Sequence, residues 1–116
     1  MRNKVRSAFE VCPIEVGVAV AGGDWKLTIV SKLVAGPLRF GRLQREAGPV
    51  SAKTLTRQLR ALEDDGILIR TVYPEVPPHV TYELTESGAA LAEIAEELGD
   101  WSERYIRPVY DREDAG

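Results

Sequence analysis

Residues 51–66, Ser-Ala-Lys-Thr-Leu-Thr-Arg-Gln-Leu-Arg-Ala-Leu-Glu-Asp-Asp-Gly, constrain this chain more than any other stretch. Leu55, Leu59 and Leu62 recur at helical spacing, so one face must dock on a core. Ser51 suits the N-cap, where its side-chain oxygen can accept from a first-turn N–H. Gly66 suits the position just past the end, where a left-handed residue closes a helix. At about 100° per residue, Lys53, Arg57 and Arg60 fall opposite the leucines, and Thr54 lies on the flank. Such a basic, hydroxyl-bearing outer face fits a DNA major groove. A solvated surface helix carries the same pattern, so the neighbouring segments decide.

Upstream, Pro13 suits the first position of a short, weak helix that ends at Gly22-Gly23. Asp24 reads as the cap of a stronger helix, Trp25 to about Ala35, central and buried through Leu27, Ile29, Val30, Leu33 and Val34. Gly36-Pro37 breaks it, and Leu38-Arg39-Phe40 follows as a short extended piece. A further helix, about Gly41 to Ala47, turns Phe40, Leu43 and Ala47 inward. Gly48-Pro49-Val50 then connects tightly into the basic helix, giving a helix-turn-helix pattern.

Downstream, Ile67–Tyr73 reads as a strand. Pro74-Glu75-Val76-Pro77-Pro78 cannot pair in a sheet, because its three prolines lack an N–H. His79–Leu84 returns as a second strand, with Val80, Tyr82 and Leu84 on one face. A hairpin directly after a recognition helix is a wing. Thr85 caps a last helix expected to run to about Arg107 and stop at Pro108, with Asp111–Gly116 frayed. On that helix Leu91, Leu98 and Tyr105 recur every seven residues, with Ile94 and Trp101 as a second row. Packing against its own domain would explain the seam. A subunit interface explains it better, since little of the domain is left to cover Trp101 and Tyr105.

Charge follows the same division. The net charge is −3, which argues against nonspecific nucleic-acid binding. Between Pro37 and Arg60, however, Arg39, Arg42, Arg45, Lys53, Arg57 and Arg60 are opposed only by Glu46. Glu93, Glu96, Glu97, Asp100 and Glu103 make the last helix acidic. Two faces with different partners follow.

Other chemistry is sparse. One His and one Cys leave no catalytic constellation, no metal-ligand cluster and no cofactor motif, so an enzyme is not expected. Glu63-Asp64-Asp65 reads as a solvated helix end. No signal peptide or membrane-spanning run is present, and a cytosolic protein is expected. Cys12 cannot form an intrachain disulfide, which leaves an interchain one or a free thiol. At the N-cap before Pro13 the helix dipole favours a thiolate, with Arg2, Lys4 and Arg6 adding positive potential. A small buried hydrophobe is the alternative.

The chain resembles the HxlR-type transcriptional regulators, a branch of the MarR-like winged helix proteins. The resemblance spans about Cys12 to Trp101. It rests on Cys12-Pro13, Gly23-Asp24-Trp25-Lys26, Gly36-Pro37-Leu38-Arg39-Phe40, Leu55-Thr56-Arg57-Gln58-Leu59, Asp65-Gly66-Ile67-Leu68, Tyr73-Pro74-Glu75-Val76-Pro77-Pro78 and Tyr82-Glu83-Leu84-Thr85. It implies a homodimer on inverted-repeat operator DNA, with a small-molecule or oxidant effector sensed in some members through a cysteine near the N-terminus. Two departures are Arg42, where an acidic residue is more usual, and His79, where Arg or Lys is common.

The expected fold is mainly α with a small β-hairpin wing, one winged helix-turn-helix domain over residues 1–116. Its DNA-binding core covers about 37–84, with dimerisation helices at about 12–20 and 85–107. Lys53, Thr54 and Arg57 are expected in the major groove. Arg39, Arg42, Ser51 and Arg60 would position phosphates, with the His79 wing on the adjacent backbone. Leu91, Ile94, Leu98, Trp101 and Tyr105 would form the subunit interface, and Cys12 is the redox candidate. A winged helix that binds protein instead of DNA is the alternative reading.

Overall fold

The computed structural model describes residues 1–115. The basic helix, α5, spans Ala52–Asp64. Ser51 Oγ accepts the Thr54 N–H at 3.1 Å, a cap that contributes about 1 kcal/mol. Gly66 closes the helix at φ 78°, where a Cβ would be strained. Leu55, Leu59 and Leu62 are fully buried.

They pack into a cluster with Ile29 and Val30 of α3 (Lys26–Lys32), Leu33 at its C-cap, and Leu43 and Ala47 of α4 (Phe40–Ala47). Val50, Ile67, Leu68 and Ala92 complete it. Each fully buried Leu, Ile or Val contributes about 1.5–3 kcal/mol. Phe40 begins α4 and packs against the same cluster, so Phe40, Leu43 and Ala47 do turn inward.

The sheet has three antiparallel strands in the order β1-β3-β2: β1 (Leu38–Arg39), β2 (Leu68–Tyr73) and β3 (His79–Leu84). Leu38 pairs with Tyr82, Leu68 with Leu84, and Tyr73 with His79. β2 and β3 are the arms of the wing, and residues 74–78 are its tip. The short piece before α4 is thus the third strand of the sheet.

Thr85 caps α6 (Glu86–Trp101), accepting the Gly88 N–H at 3.1 Å. The Thr85 hydroxyl also donates to Gly66 O at 2.7 Å, and Ser87 Oγ donates to the same carbonyl at 3.0 Å. The start of α6 is therefore stitched to the turn that ends α5. Gly88 is buried there, and a Cβ on it would overlap Ile67 O.

Several expectations are corrected. An extra helix, α1 (Asn3–Ala8), precedes α2 (Pro13–Ala21). One buried side chain, Val5, and Arg2 at its N-cap hold it, too little periodicity to read beforehand. Asp24 does not cap α3. Trp25 takes a left-handed conformation, φ 72°, and the helix begins at Lys26, with its last helical residue Lys32 rather than Ala35. The Trp25 ring instead covers Gly48 in the helix-turn-helix connection. Val34 is exposed, so α3 buries a narrower face than expected.

Pro108 does not end the last helix. A π-helical turn, Ser102–Ile106, leads into α7 (Arg107–Ala115). The Arg107 N–H reaches back to Ser102 O, five residues earlier. Widening the turn just before Pro108 accommodates a ring with no N–H to give. Asp111–Ala115 is therefore helical rather than frayed, and Gly116 lies outside the described residues.

Asp65 is not solvated either. Its side chain is 0% exposed and pairs with Arg2 at 2.6 Å. Arg2 is consequently committed to Asp65 and does not serve as free positive potential for Cys12.

Candidate nucleic-acid interface

The outer face of α5 is set by its inner face. With the leucines buried, Lys53, Arg57 and Arg60 are exposed and Thr54 is half-buried on the flank. Ser51 is exposed at the helix start, its oxygen occupied by the Thr54 N–H and its own proton free to donate. Gln44 Nε2 donates to Val50 O at 3.0 Å, which braces the connection between α4 and α5.

Arg39, at the end of β1, and Arg42, on α4, are exposed beside α5's helix-turn-helix partner. Arg42 Nε lies 3.4 Å from Glu46 Oε1, an exposed pair worth about 0.3–0.5 kcal/mol. That attraction is weak enough for a phosphate to displace. Arg45 lines the same shallow cleft with Arg39 and Arg42. Sequence reasoning counted Arg45 as charge without assigning it to the site. Its spacing of three from Arg42, and of six from Arg39, was the available signal.

His79 differs from the expected phosphate arm. Its ring stacks on Tyr73, centroids 4.7 Å apart, and Nδ1 sits 3.5 Å from Glu75 Oε2. With only 17% of the side chain exposed, it braces the strands just beneath the wing tip instead of reaching outward. Between α5 and the sheet, Arg70 Nε lies 3.6 Å from Glu63 Oε2. Burial there pushes the nearby Tyr82 phenol above the usual tyrosine range, so Tyr82 stays neutral.

Away from this face, the seam residues Ile94, Leu98, Trp101 and Tyr105 are exposed, while Leu91 is half-buried against its own core. A second apolar patch, missed beforehand, lies on the N-terminal hairpin: Phe9, Val11, Ile14 and Val18. Cys12 is a free, half-buried thiol at the N-cap of α2, and it makes no capping hydrogen bond. Among the described residues, no His, Cys, Asp and Glu cluster could hold a metal, and no helix is long and apolar enough to cross a membrane.

A helix-turn-helix with a basic second helix, followed by a β-hairpin wing, defines a winged helix-turn-helix transcriptional regulator. The comparisons make this particular. The HxlR-like helix-turn-helix family matches residues 20–110, and the chain belongs to that family. It is 40% identical over 97 residues to the HTH-type transcriptional regulator YdeP of Bacillus subtilis (strain 168), covering 84% of this chain and 76% of that one. The reduced form of the redox regulator HypR superposes with a TM-score of 0.79 at 37% identity, covering 86% of this chain and 99% of that one. Reduced YodB from B. subtilis gives 0.73 at 34% identity, covering 84% and 97%.

Proposed function

We propose that this regulator binds an inverted-repeat operator as a cytoplasmic homodimer and acts as a repressor. The observation that carries the reading is the exposed basic face of α5, held outward by its buried leucines. Lys53, Thr54 and Arg57 enter the major groove. Arg39, Arg42, Ser51 and Arg60, with Arg45 added, position phosphates. Contacts of the first kind specify sequence, and those of the second give affinity. The wing lies along the adjacent backbone with His79 bracing its tip. Residues 37–84 form the DNA-binding core, and the dimer forms through α2 and the 85–107 helix.

Arg57→Ala is expected to lose about 1–3 kcal/mol of discrimination between operator and mutated operator. Arg42→Ala is expected to weaken all sequences equally and to lower the salt slope by about one unit. Salt-dependent gel shifts on operator and random DNA measure both. If the two substitutions behave alike, the groove assignment is wrong. No binding to either DNA at low salt would favour a protein-binding winged helix.

Cys12 is the redox-responsive group in this reading. Support comes from its place at the start of α2 and from similarity to HypR, described as a redox regulator. With one cysteine per chain, a disulfide must join two copies or a small thiol. Peroxide or quinone treatment is expected to release the operator from wild type and leave Cys12→Ser bound. Unchanged binding by the treated wild type would reduce Cys12 to a packing residue.

A further inference from the structure

Arg2 and Asp65 are 63 positions apart and form an ion pair made by both the backbone and the side chain of Arg2. The Arg2 backbone N–H donates to Asp65 Oδ1 at 3.1 Å, and Nε donates to Oδ2 at 2.8 Å. Nη2 lies 2.6 Å from Oδ2 and donates to Ala19 O, near the end of α2, at 2.8 Å. Lys26 Nζ donates to Val20 O at 3.3 Å beside the same group. Burial, and then the Arg2 guanidinium, hold the Lys26 ammonium below the usual lysine range, while Asp65 pulls the other way. One carboxylate therefore gathers the N-terminus, the end of α2 and the end of α5.

Asp65 is the C-cap of α5. A carboxylate there faces the negative end of the helix dipole, and burying it removes its water. The Arg2 guanidinium and backbone N–H together answer both costs. The rest of α5 rests on Leu55, Leu59 and Leu62, whose apolar contacts are non-directional. A carboxylate held at one oxygen by the Arg2 backbone N–H and at the other by its guanidinium fixes an angle, which those contacts do not.

We propose that Arg2 and Asp65 are positioning residues for DNA recognition: the pair fixes the C-terminal end of α5 to the N-terminal hairpin and so aims the opposite, reading end. The proposal rests on the DNA-binding reading above. At about 1.5 Å per residue, α5 is roughly 20 Å long, so a tilt of about 5° moves its far end by nearly 2 Å. Base-edge hydrogen bonds tolerate only a few tenths of an ångström, whereas flexible phosphate contacts follow the movement. The pair therefore governs discrimination and leaves general affinity alone.

The test uses Arg2→Gln, Asp65→Asn, their double and the milder Arg2→Lys. The readouts are affinities for operator and random DNA across salt, melting, and hydrogen exchange at Ala61–Ile67. Each single is expected to lower the operator-to-random ratio about tenfold, in the lower part of the range for coupled sites. The double should be no worse than the worse single, Arg2→Lys should fall between, and the salt slope should not change. A lowered melting point with an unchanged ratio in folded protein would make the pair merely structural and overturn the proposal. So would a slope reduced by about one unit in Arg2→Gln, which would make Arg2 a phosphate contact. If wild type binds no DNA, the DNA reading fails and exchange decides the pair's hold on α5: faster exchange in Arg2→Lys upholds it, and unchanged exchange overturns it.

Discussion

Leu98→Glu is expected to convert the proposed dimer into a monomer and to weaken operator binding by about 10²- to 10⁴-fold, the gain that linking a second half-site contributes. Leu98 lies on the outer side of α6, against a groove walled by Leu27 and Val34 of the α3 segment and by Ala95. In a single chain it is 49% exposed, so a glutamate there still reaches water and the fold survives. In a dimer each copy would bury that charge without a partner, which costs several kcal/mol. Analytical ultracentrifugation should show a dimer for wild type and a folded monomer for the variant, whose melting point no longer depends on concentration. A wild-type monomer at tens of micromolar, or a variant that stays dimeric, would sink the interface.

The second large effect is on folding. Gly88→Ala is expected to destabilise the protein by about 2–3 kcal/mol, the upper range for overpacking a filled site. Helix propensity alone argues the other way, since Ala is better than Gly in a helix by about 1 kcal/mol. Sterics win here because the new methyl would overlap Ile67 O. That carbonyl cannot retreat cheaply: it accepts the Thr85 N–H at 3.0 Å and lies 3.1 Å from the Thr85 hydroxyl. The Leu84 side chain closes the other side at 3.2 Å. Chemical denaturation measures the loss. Gly99→Ala, with open space around its Cβ, is the control on the same helix. In the Leu98→Glu background, free of a second copy, it should stabilise the protein by up to about 1 kcal/mol. Destabilisation by Gly99→Ala and not by Gly88→Ala would refute the steric account.

What was legible in the sequence was what short-range chemistry dictates. Ser51 and Thr85 are caps because a hydroxyl three residues before a free N–H can reach it. The basic face of α5 was legible because burying leucines at helical spacing leaves Lys53, Arg57 and Arg60 outside. What escaped depends on distant partners. Asp65 is indistinguishable from its solvated neighbours until the N-terminus folds back and brings Arg2 to it. Trp25 leaves the helix so that its ring can cover Gly48, a preference no local pattern encodes. His79 reads as a free imidazole until Tyr73 and Glu75 close on it across the wing. The exposed Phe9, Val11, Ile14 and Val18 escaped because the first two lie in the turn after α1 and the last two on α2, so no single helical period joins them.

The π-helical turn at Ser102–Ile106 also acts as a phase shifter. A strict seven-residue repeat continued past Tyr105 would place Pro108 and Arg112 in the apolar line. One extra residue in the turn advances the chain by about 100° of helical rotation. The line then resumes on Ile106 and Val109, both of which are exposed apolar side chains, as is Tyr110. What looks like a broken repeat in the sequence is thus two stripes spliced into one longer apolar strip. Its register depends on residue count as well as residue type. Deleting one residue from the turn would leave every other side chain intact and still rotate α7's apolar side out of line.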